Sequence, residues 1–485
     1  MQNGILDKDL RSIQEARILS RKARIAYEKY SIFSQDRVDS IVEAMAKAGE
    51  EASKRLAESA VKETGYGNVS DKIAKNIFST KNIYSSIKDL KTVGVINRDN
   101  RNKIIEIAHP MGVILGITPT TNPTSTVMFK ALISVKSRNA IVFAPHPRAV
   151  ECSREAALVM SEAAERQGAP KGLISCLDIV TIEGTKELMA SPDISIILAT
   201  GGLSMVKAAH SYGKPAIGVG PGNVPAYIDK SADIEKAAKD IMLSKTFDNG
   251  VICSSEQAIV VHSDIEAKFR NTIKSLGGYF LSSEEIEKVS RILVKANAMN
   301  PDMVGKTTKV IANAAGITIP SNVKLFIAPL EGVGPDYPLS REILSPLVAY
   351  YIENNWEDAC KKCIEILNFG GLGHSLAIHA SDEKVITEFA HKKPVFRILI
   401  NTPTSQGAVG LTTSLTPSMT LSTGSWGGGI YTDNISAYHL LNIKRVAYET
   451  NPINISTTGK INQTSLTRDE IESIVREVVE NLNIK

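Results

Sequence analysis

Val113-Ile114-Leu115-Gly116-Ile117-Thr118-Pro119-Thr120-Thr121-Asn122-Pro123-Thr124-Ser125-Thr126 decides the fold. An apolar run of strand length, 113–117, breaks into a turn of threonine and proline, and a helical stretch follows over 125–136. Outward from there the pattern recurs. Strand-like runs lie at 140–144 and 194–200, with an amphipathic helical stretch at 149–167 between them. Alternating strands and helices imply parallel pairing, hence an α/β fold. Upstream, residues 9–90 read as helices of mixed charge. Downstream, a second α/β block over 228–423 contains strands at 257–262 and 346–352 and helices at 265–275 and 356–367. No internal repeat is evident.

After Tyr448 the texture changes. Residues 449–466 are polar and rich in Asn, Thr and Ser, as a linker is. Thr467 then stands three residues before Glu470, a capping-box spacing. Ile471, Ile474, Val475, Val478 and Leu482 fall on one helical face. So short a helix gains stability by docking. Packing on its own subunit and service as a partner-binding tag both remain open.

With 485 residues, 43% of them hydrophobic, the chain can bury a large core in two or three domains. Its 56 Lys plus Arg nearly cancel 52 Asp plus Glu, leaving +4, and no basic block is interleaved with aromatics. Nucleic acid is therefore not an expected partner, whereas a nucleotide cofactor can be held by a few backbone N–H groups. Residues 1–11 are charged and lack the apolar core of a secretory signal, and no apolar run has the length to cross a bilayer. Five cysteines at irregular spacings are no disulfide framework, so a reducing, cytoplasmic setting is expected. Cys360-x-x-Cys363 sits on a helical pattern with no second ligand pair, and no metal is expected.

Four segments carry candidate chemistry. In Phe247-Asp248-Asn249-Gly250-Val251-Ile252-Cys253-Ser254-Ser255 a cysteine ends a turn directly before an apolar strand. That setting suits a nucleophilic thiolate, although most free cysteines are buried and inert. Asn122 carries an N–H₂ able to bind an oxyanion, yet Asn-Pro is also ordinary turn punctuation. Thr200-Gly201-Gly202 ends a strand and opens a helix, offering N–H groups to a phosphate. Gly218-Val219-Gly220-Pro221-Gly222-Asn223 is glycine-dense but lacks dinucleotide-fingerprint spacing.

Taken together, these segments resemble the aldehyde dehydrogenase superfamily, in its CoA-acylating branch. The likeness is to the aldehyde dehydrogenase half of bifunctional aldehyde-alcohol dehydrogenases and to stand-alone acetylating acetaldehyde dehydrogenases. It runs from about residue 10 to 448. It rests on ThrThrAsnProThrSerThr at 120–126, AlaProHisProArgAla at 144–149, ThrGlyGly at 200–202, LysProAlaIleGlyVal at 214–219, PheAspAsnGlyValIleCys at 247–253, GlyLeuGlyHis at 371–374 and AsnThrPro at 401–403.

The resemblance implies a fold and roles. The fold is two parallel-sheet α/β domains plus a small oligomerisation arm. Residues 1–228 would be the N-terminal helices and cofactor domain, 229–424 the catalytic domain, 425–448 the arm and 449–485 the linker and terminal helix. Cys253 attacks the aldehyde, Asn122 and the Cys253 N–H form the oxyanion hole, and hydride passes to a nicotinamide cofactor, leaving a thioester. Thr118, Pro119, His146, Pro147, Thr200, Gly201, Gly202 and Gly220 fall in cofactor-binding positions, with Glu342 on the nicotinamide ribose. His374 is a further catalytic candidate, for CoA deprotonation or acyl orientation, with a structural role equally open. His146 replaces a lysine common in hydrolytic members, which leaves NADP open beside NAD.

One departure sharpens the chemistry. Hydrolytic members carry a water-activating glutamate where this chain has Val219, and no other carboxylate lies between Ala216 and Ile228. Coenzyme A, a thiol, needs less activation than water. The resulting expectation is aldehyde plus NAD plus CoA giving acyl-CoA plus NADH, with acetaldehyde first and propionaldehyde second. Sulfoacetaldehyde is a third option, since related enzymes with a segment like 67–72 act on it. A hydrolytic enzyme and an idle scaffold are the rivals. The resemblance also implies a homodimer or homotetramer. Residues 467–484 resemble an encapsulation peptide, which would bring a bacterial microcompartment shell protein as partner.

Overall fold

Val113–Thr118 (β1) is buried at all six positions. A strand without a polar face must be covered on both sides, which is the condition of a central strand in a parallel sheet. The structure, a computed structural model, describes residues 7–201, 203–453 and 467–481. It divides into two compact units, one of residues 1–93 and 109–442, the other of 94–108 and 443–485.

In the larger unit, β1 pairs on one side with Ala140–Pro145 (β2), which pairs with Ile174–Cys176 (β3). On its other side lies Ile194–Thr200 (β4), followed by Ala216–Val219 (β5). The five-stranded order is therefore β3-β2-β1-β4-β5, parallel throughout. The order reverses beside β1, and such a switch opens a crevice beyond the carboxyl ends of the strands. Helix Pro123–Lys136 packs here with all of its residues buried, Pro123 standing at its start where a missing N–H costs nothing. Its two lysines are hydrogen-bonded locally. Lys130 donates to the carbonyls of Ile117 (2.6 Å) and Leu198 (2.7 Å), and Lys136 to Asp39 (2.6 Å) and to the Lys88 carbonyl (2.7 Å). The N-terminal helices Lys8–Tyr30 and Gln35–Glu51 supply Ala23, Val38, Ile41 and Met45 to this core.

A seven-stranded parallel sheet follows, from Val224–Ile228 (β6), Glu256–His262 (β7), Gly278–Phe280 (β8), Leu325–Pro329 (β9), Leu347–Glu353 (β10), Gly373–His379 (β11) and Val395–Ile400 (β12). Its order is β8-β9-β10-β7-β6-β11-β12. The two parallel sheets give the α/β architecture that the sequence implies. The boundary at 228 is corrected, however. β6 pairs with β7 and β11, so the chain passes between sheets after Val219 and before Val224. An apolar run does not disclose which sheet it will join.

In the smaller unit, Gly94–Asp99 pairs antiparallel with Ile104–Pro110, and Leu441–Ala447 completes a three-stranded sheet. Strand structure within the segment expected to be an arm thus begins only at Leu441, and two strands come from residues assigned to the N-terminal domain. Helix Arg468–Asn481 begins with the expected cap: the Thr467 N–H donates to Glu470 (2.7 Å) and the Glu470 N–H to the Thr467 hydroxyl (3.4 Å). Leu482 lies outside the described residues.

Gly116 in β1 has no room for a side chain, because an added Cβ would lie 2.8 Å from the Phe143 ring. Phe143 is fully buried and cannot swing away. Gly116→Ala should lower unfolding free energy by about 1–3 kcal/mol in urea titration; an unchanged midpoint would mean that the sheet is less tightly packed than described.

Candidate active site

Three successive residues before Cys253 take left-handed backbone angles: Asp248 (φ 50°), Asn249 (φ 53°) and Gly250 (φ 77°). Two of them carry side chains, so neighbours must hold the turn. The Asp248 N–H donates to Asp71 (2.7 Å), its Oδ1 accepts from the Asn68 N–H (2.8 Å), and Asn249 Nδ2 donates to the Gly305 carbonyl (2.9 Å). Glycine is required on both sides of the latch. A Cβ on Gly67 would sit 1.8 Å from Asp248 Oδ1, and one on Gly250 would sit 2.8 Å from the Ser345 backbone. The 67–72 segment is therefore the clasp of the cysteine loop, supplied by helix Val69–Ile77.

Asp248 Oδ2 accepts from Lys72 (2.9 Å) and Lys75 (2.6 Å), all three side chains being buried. Lys72 also donates to the Thr121 carbonyl (3.0 Å). Lys75 donates to the Val251 carbonyl (2.7 Å) and to Asn122 Oδ1 (2.6 Å). Asn122 thus presents its N–H₂ away from the lysine.

Cys253 and Asn122 line one cavity of about 390 Å³, together with Thr200, Gly201, Gly220 and Glu342. Burial, with the Glu342 carboxylate second, pushes the Cys253 thiol up to about 12, against the opposing pull of Arg397, a backbone N–H and Lys75. Burial pushes the Glu342 carboxyl up to about 7, restrained by the Gly222 N–H, which donates to Oε1 at 2.9 Å, and by Lys245. Lys245 fixes the Glu342 loop from below, donating to Gln257 Oε1 (2.8 Å) and the Ile343 carbonyl (2.8 Å).

A second cleft of about 190 Å³ lies at the carboxyl ends of β1, β2 and β4, lined by Thr118, Pro147, Val180, Ile182 and Tyr212. It shares Pro119, His146, Thr200 and Gly201 with the cysteine cavity, so the two spaces adjoin. Thr118 Oγ1 and Thr200 Oγ1 are buried without partners in the described structure. Unsatisfied hydroxyls at strand ends beside a switch point suit a bound dinucleotide, which would supply the missing hydrogen bonds.

Most of the sequence candidates therefore converge. Gly202 lies outside the described residues. His374 does not line the cavity. It is fully buried, its Nδ1 is 3.1 Å from the Ser375 hydroxyl, and burial with Arg397 draws it down to about 3, which keeps it neutral. It sits behind Gly222, where an added Cβ would lie 2.2 Å from the Cys253 carbonyl and 3.2 Å from the imidazole. Cys360 and Cys363 are buried on helix Trp356–Phe369, and no metal-binding group occurs among the described residues. Sequence reasoning missed Lys72, Lys75, Asp248, Lys245 and Arg397. Lys72 and Asp248 stand inside recognisable segments, whereas Lys75, Lys245 and Arg397 lie outside every motif.

Residues 9–413 match the aldehyde dehydrogenase family. Bifunctional aldehyde-alcohol dehydrogenase of Escherichia coli K12 is 44% identical over 441 residues, covering 90% of this chain and 50% of that protein. The chain spans about half the length of the aldehyde-alcohol dehydrogenases it matches. An acetylating aldehyde dehydrogenase from Geobacillus thermoglucosidasius is 51% identical with a TM-score of 0.92, over 93% of this chain and 100% of that one. A propionaldehyde dehydrogenase from the Clostridium phytofermentans fucose utilisation microcompartment is 30% identical with a TM-score of 0.81, over 89% and 97%.

Removing the carboxylate from the latch strands two buried ammonium groups. Asp248→Ala should lower stability by about 3–5 kcal/mol in denaturant titration. A loss below about 1 kcal/mol would mean that the cluster is not what holds the loop.

Proposed function

Because the chain belongs to the aldehyde dehydrogenase family, we propose that it oxidises a short-chain aldehyde on Cys253 and passes the acyl group to coenzyme A, with NAD as hydride acceptor. The observation that carries this reading is the wall of the cysteine cavity. Nucleophile and amide donor face one space, while Val219 stands where a water-activating carboxylate would serve. Glu342, the one carboxylate among the described lining residues, is engaged by the Gly222 N–H.

Cys253 Sγ, once its proton has passed to solvent, attacks the carbonyl carbon, and the carbonyl π pair moves onto the oxygen, which as an oxyanion accepts from Asn122 Nδ2 and the Cys253 N–H. Such donors are worth most where water is excluded. Bound nicotinamide supplies the hydride acceptor. Thr118, Thr200 and the Gly201 backbone would hold the dinucleotide at the strand ends, and ionised Glu342 would accept from its ribose hydroxyls. With Val219 in the wall and Glu342 engaged by the Gly222 N–H, no free carboxylate among the described lining residues activates water against the Cys253 thioester, so water attacks slowly. A CoA thiolate is the better nucleophile, and exchange of one thioester for another is readily reversed.

The lining of the cavity includes Tyr66, Ile252, Val304, Leu344, Val409 and Leu421, and no lysine or arginine is among its described lining residues. A sulfonate or carboxylate on the substrate would stay unpaired there. Acetaldehyde is therefore proposed first, propionaldehyde second and sulfoacetaldehyde last. A homodimer or homotetramer and a cytoplasmic setting are proposed with it. The terminal helix exposes Ile471, Ile474, Val475 and Val478 to about half of their surface. We propose that this face docks a microcompartment shell protein, and removal of residues 451–485 should abolish recruitment to shells while sparing kinetics.

With CoA present, acetaldehyde should drive continuous NADH formation, and Cys253→Ala should reduce it by about 10⁴-fold or more. Sustained turnover without CoA would establish the hydrolytic rival. Equal or better kcat/KM for sulfoacetaldehyde would overturn the substrate order. Glu342 gains its charge as pH rises through about 7. KM for NAD should fall from about pH 6 to pH 8, and Glu342→Gln should flatten that dependence. A wild-type KM that does not vary with pH would remove Glu342 from the ribose.

A further inference from the structure

We propose that Lys75 is a positioning residue for the oxyanion hole, gripping Asn122 Oδ1 so that the amide N–H₂ faces the carbon attacked by Cys253. The proposal rests on the aldehyde chemistry assigned above to Cys253. An ammonium group has three hydrogens and no acceptor. Those of Lys75 are directed to Asn122 Oδ1, Asp248 Oδ2 and the Val251 carbonyl, at 2.6, 2.6 and 2.7 Å. Because the lysine can only donate, the amide oxygen must face it. Asn122 Nδ2 then has one long contact, to Thr121 Oγ1 at 3.3 Å, and keeps a hydrogen for a substrate oxygen.

The same ammonium joins the two halves of the reaction centre. Val251 stands two residues before the nucleophile, and Asn122 opens the helix beyond β1. Both oxygens are held on one nitrogen, so the spacing between thiol and amide donor is set by hydrogen-bond lengths. A cation behind the amide oxygen also polarises the amide and strengthens its N–H as a donor.

Neutralising Asp248 does not require this lysine. Lys72 already pairs with Asp248 Oδ2, and the Asn68 N–H holds Oδ1. A second buried cation on one carboxylate is costly, and burial draws Lys75 down to about 8. Such local cost belongs at functional sites.

The test is a double-mutant cycle on single-turnover NADH formation, with enzyme in excess of NAD and CoA omitted. Lys75→Met keeps the stem and leaves Asp248 with Lys72. It should slow the step by about 10–100-fold, and Asn122→Ala by about 10²–10³-fold, with KM for NAD near the wild-type value. The double variant should be no more than about threefold slower than Asn122→Ala. Lys75→Gln, which keeps an N–H donor, should lie between Lys75→Met and wild type, and it replaces the methionine in the cycle if that variant does not fold. Lys75→Met within twofold of wild type, or losses that multiply in the double variant, would overturn the proposal. Single turnover precedes acyl transfer. A wild type that goes on to turn over without CoA therefore defeats the proposed acyl acceptor while leaving the Lys75 cycle readable. A wild type that forms no NADH in single turnover defeats both.

Discussion

Asp248 is a carboxylate with no access to water, and the active site is assembled around it. Its two oxygens and its N–H bind Asn68, Asp71, Lys72 and Lys75, all carried by one helix and the turn before it. This holds three successive left-handed residues in the loop that delivers Cys253. A charge so placed is a poor source of net stability, since desolvation consumes most of the Coulombic gain. Its value lies in geometry: losing the Asp248 carboxylate leaves two buried ammonium groups without a counterion, so alternative loop conformations are expensive. The cluster reaches Asn122 and the Val251 carbonyl through Lys75 and the Thr121 carbonyl through Lys72, so the cysteine loop and the Asn122 amide are set by one ionic unit.

Electrostatics around the thiol pull in opposite senses. Burial and Glu342 favour the protonated thiol, whereas Arg397 and Lys75 favour the thiolate. Arg397 is anchored to the Ser422 carbonyl at 2.6 Å, behind the cysteine and His374. Neutral His374 packs in the wall behind the cysteine carbonyl, and the missing side chain of Gly222 leaves room for that contact. The cavity itself offers Glu342 as its titrating carboxyl among the described residues, poised near neutrality by burial. Apolar side chains line much of the cysteine cavity, and the unsatisfied hydroxyls Thr118 Oγ1 and Thr200 Oγ1 lie at the strand ends.

Much of this was legible in the sequence, for physical reasons. β1 and β2 are fully covered strands and β4 nearly so, and such strands read as largely apolar runs whatever surrounds them. The cysteine loop and the turn at Asn122 advertised themselves through glycine and proline, which mark unusual backbone. The ionic cluster was not legible: Lys75 and Lys72 meet Asp248 across 173 and 176 residues, and local pattern carries no information over that span. His374 was a catalytic candidate by resemblance with a structural role equally open, and Gly371 and Gly373 beside it serve close backbone packing against Asn223 and Thr423. Strands Gly94–Asp99 and Ile104–Pro110 went unread because neither has a consistently buried face. The placement of β6 went astray because partner choice is decided by neighbours, not by the strand itself.

On the proposed mechanism the acyl group on Cys253 waits for a thiol. Intact-protein and peptide mass spectrometry after mixing enzyme, acetaldehyde and NAD without CoA tests this most directly. One acetyl group is expected on the peptide containing Cys253, persisting in water and removed within the dead time when CoA is added. Free acetate with no acetylated Cys253, while NADH continues to accumulate, would contradict it.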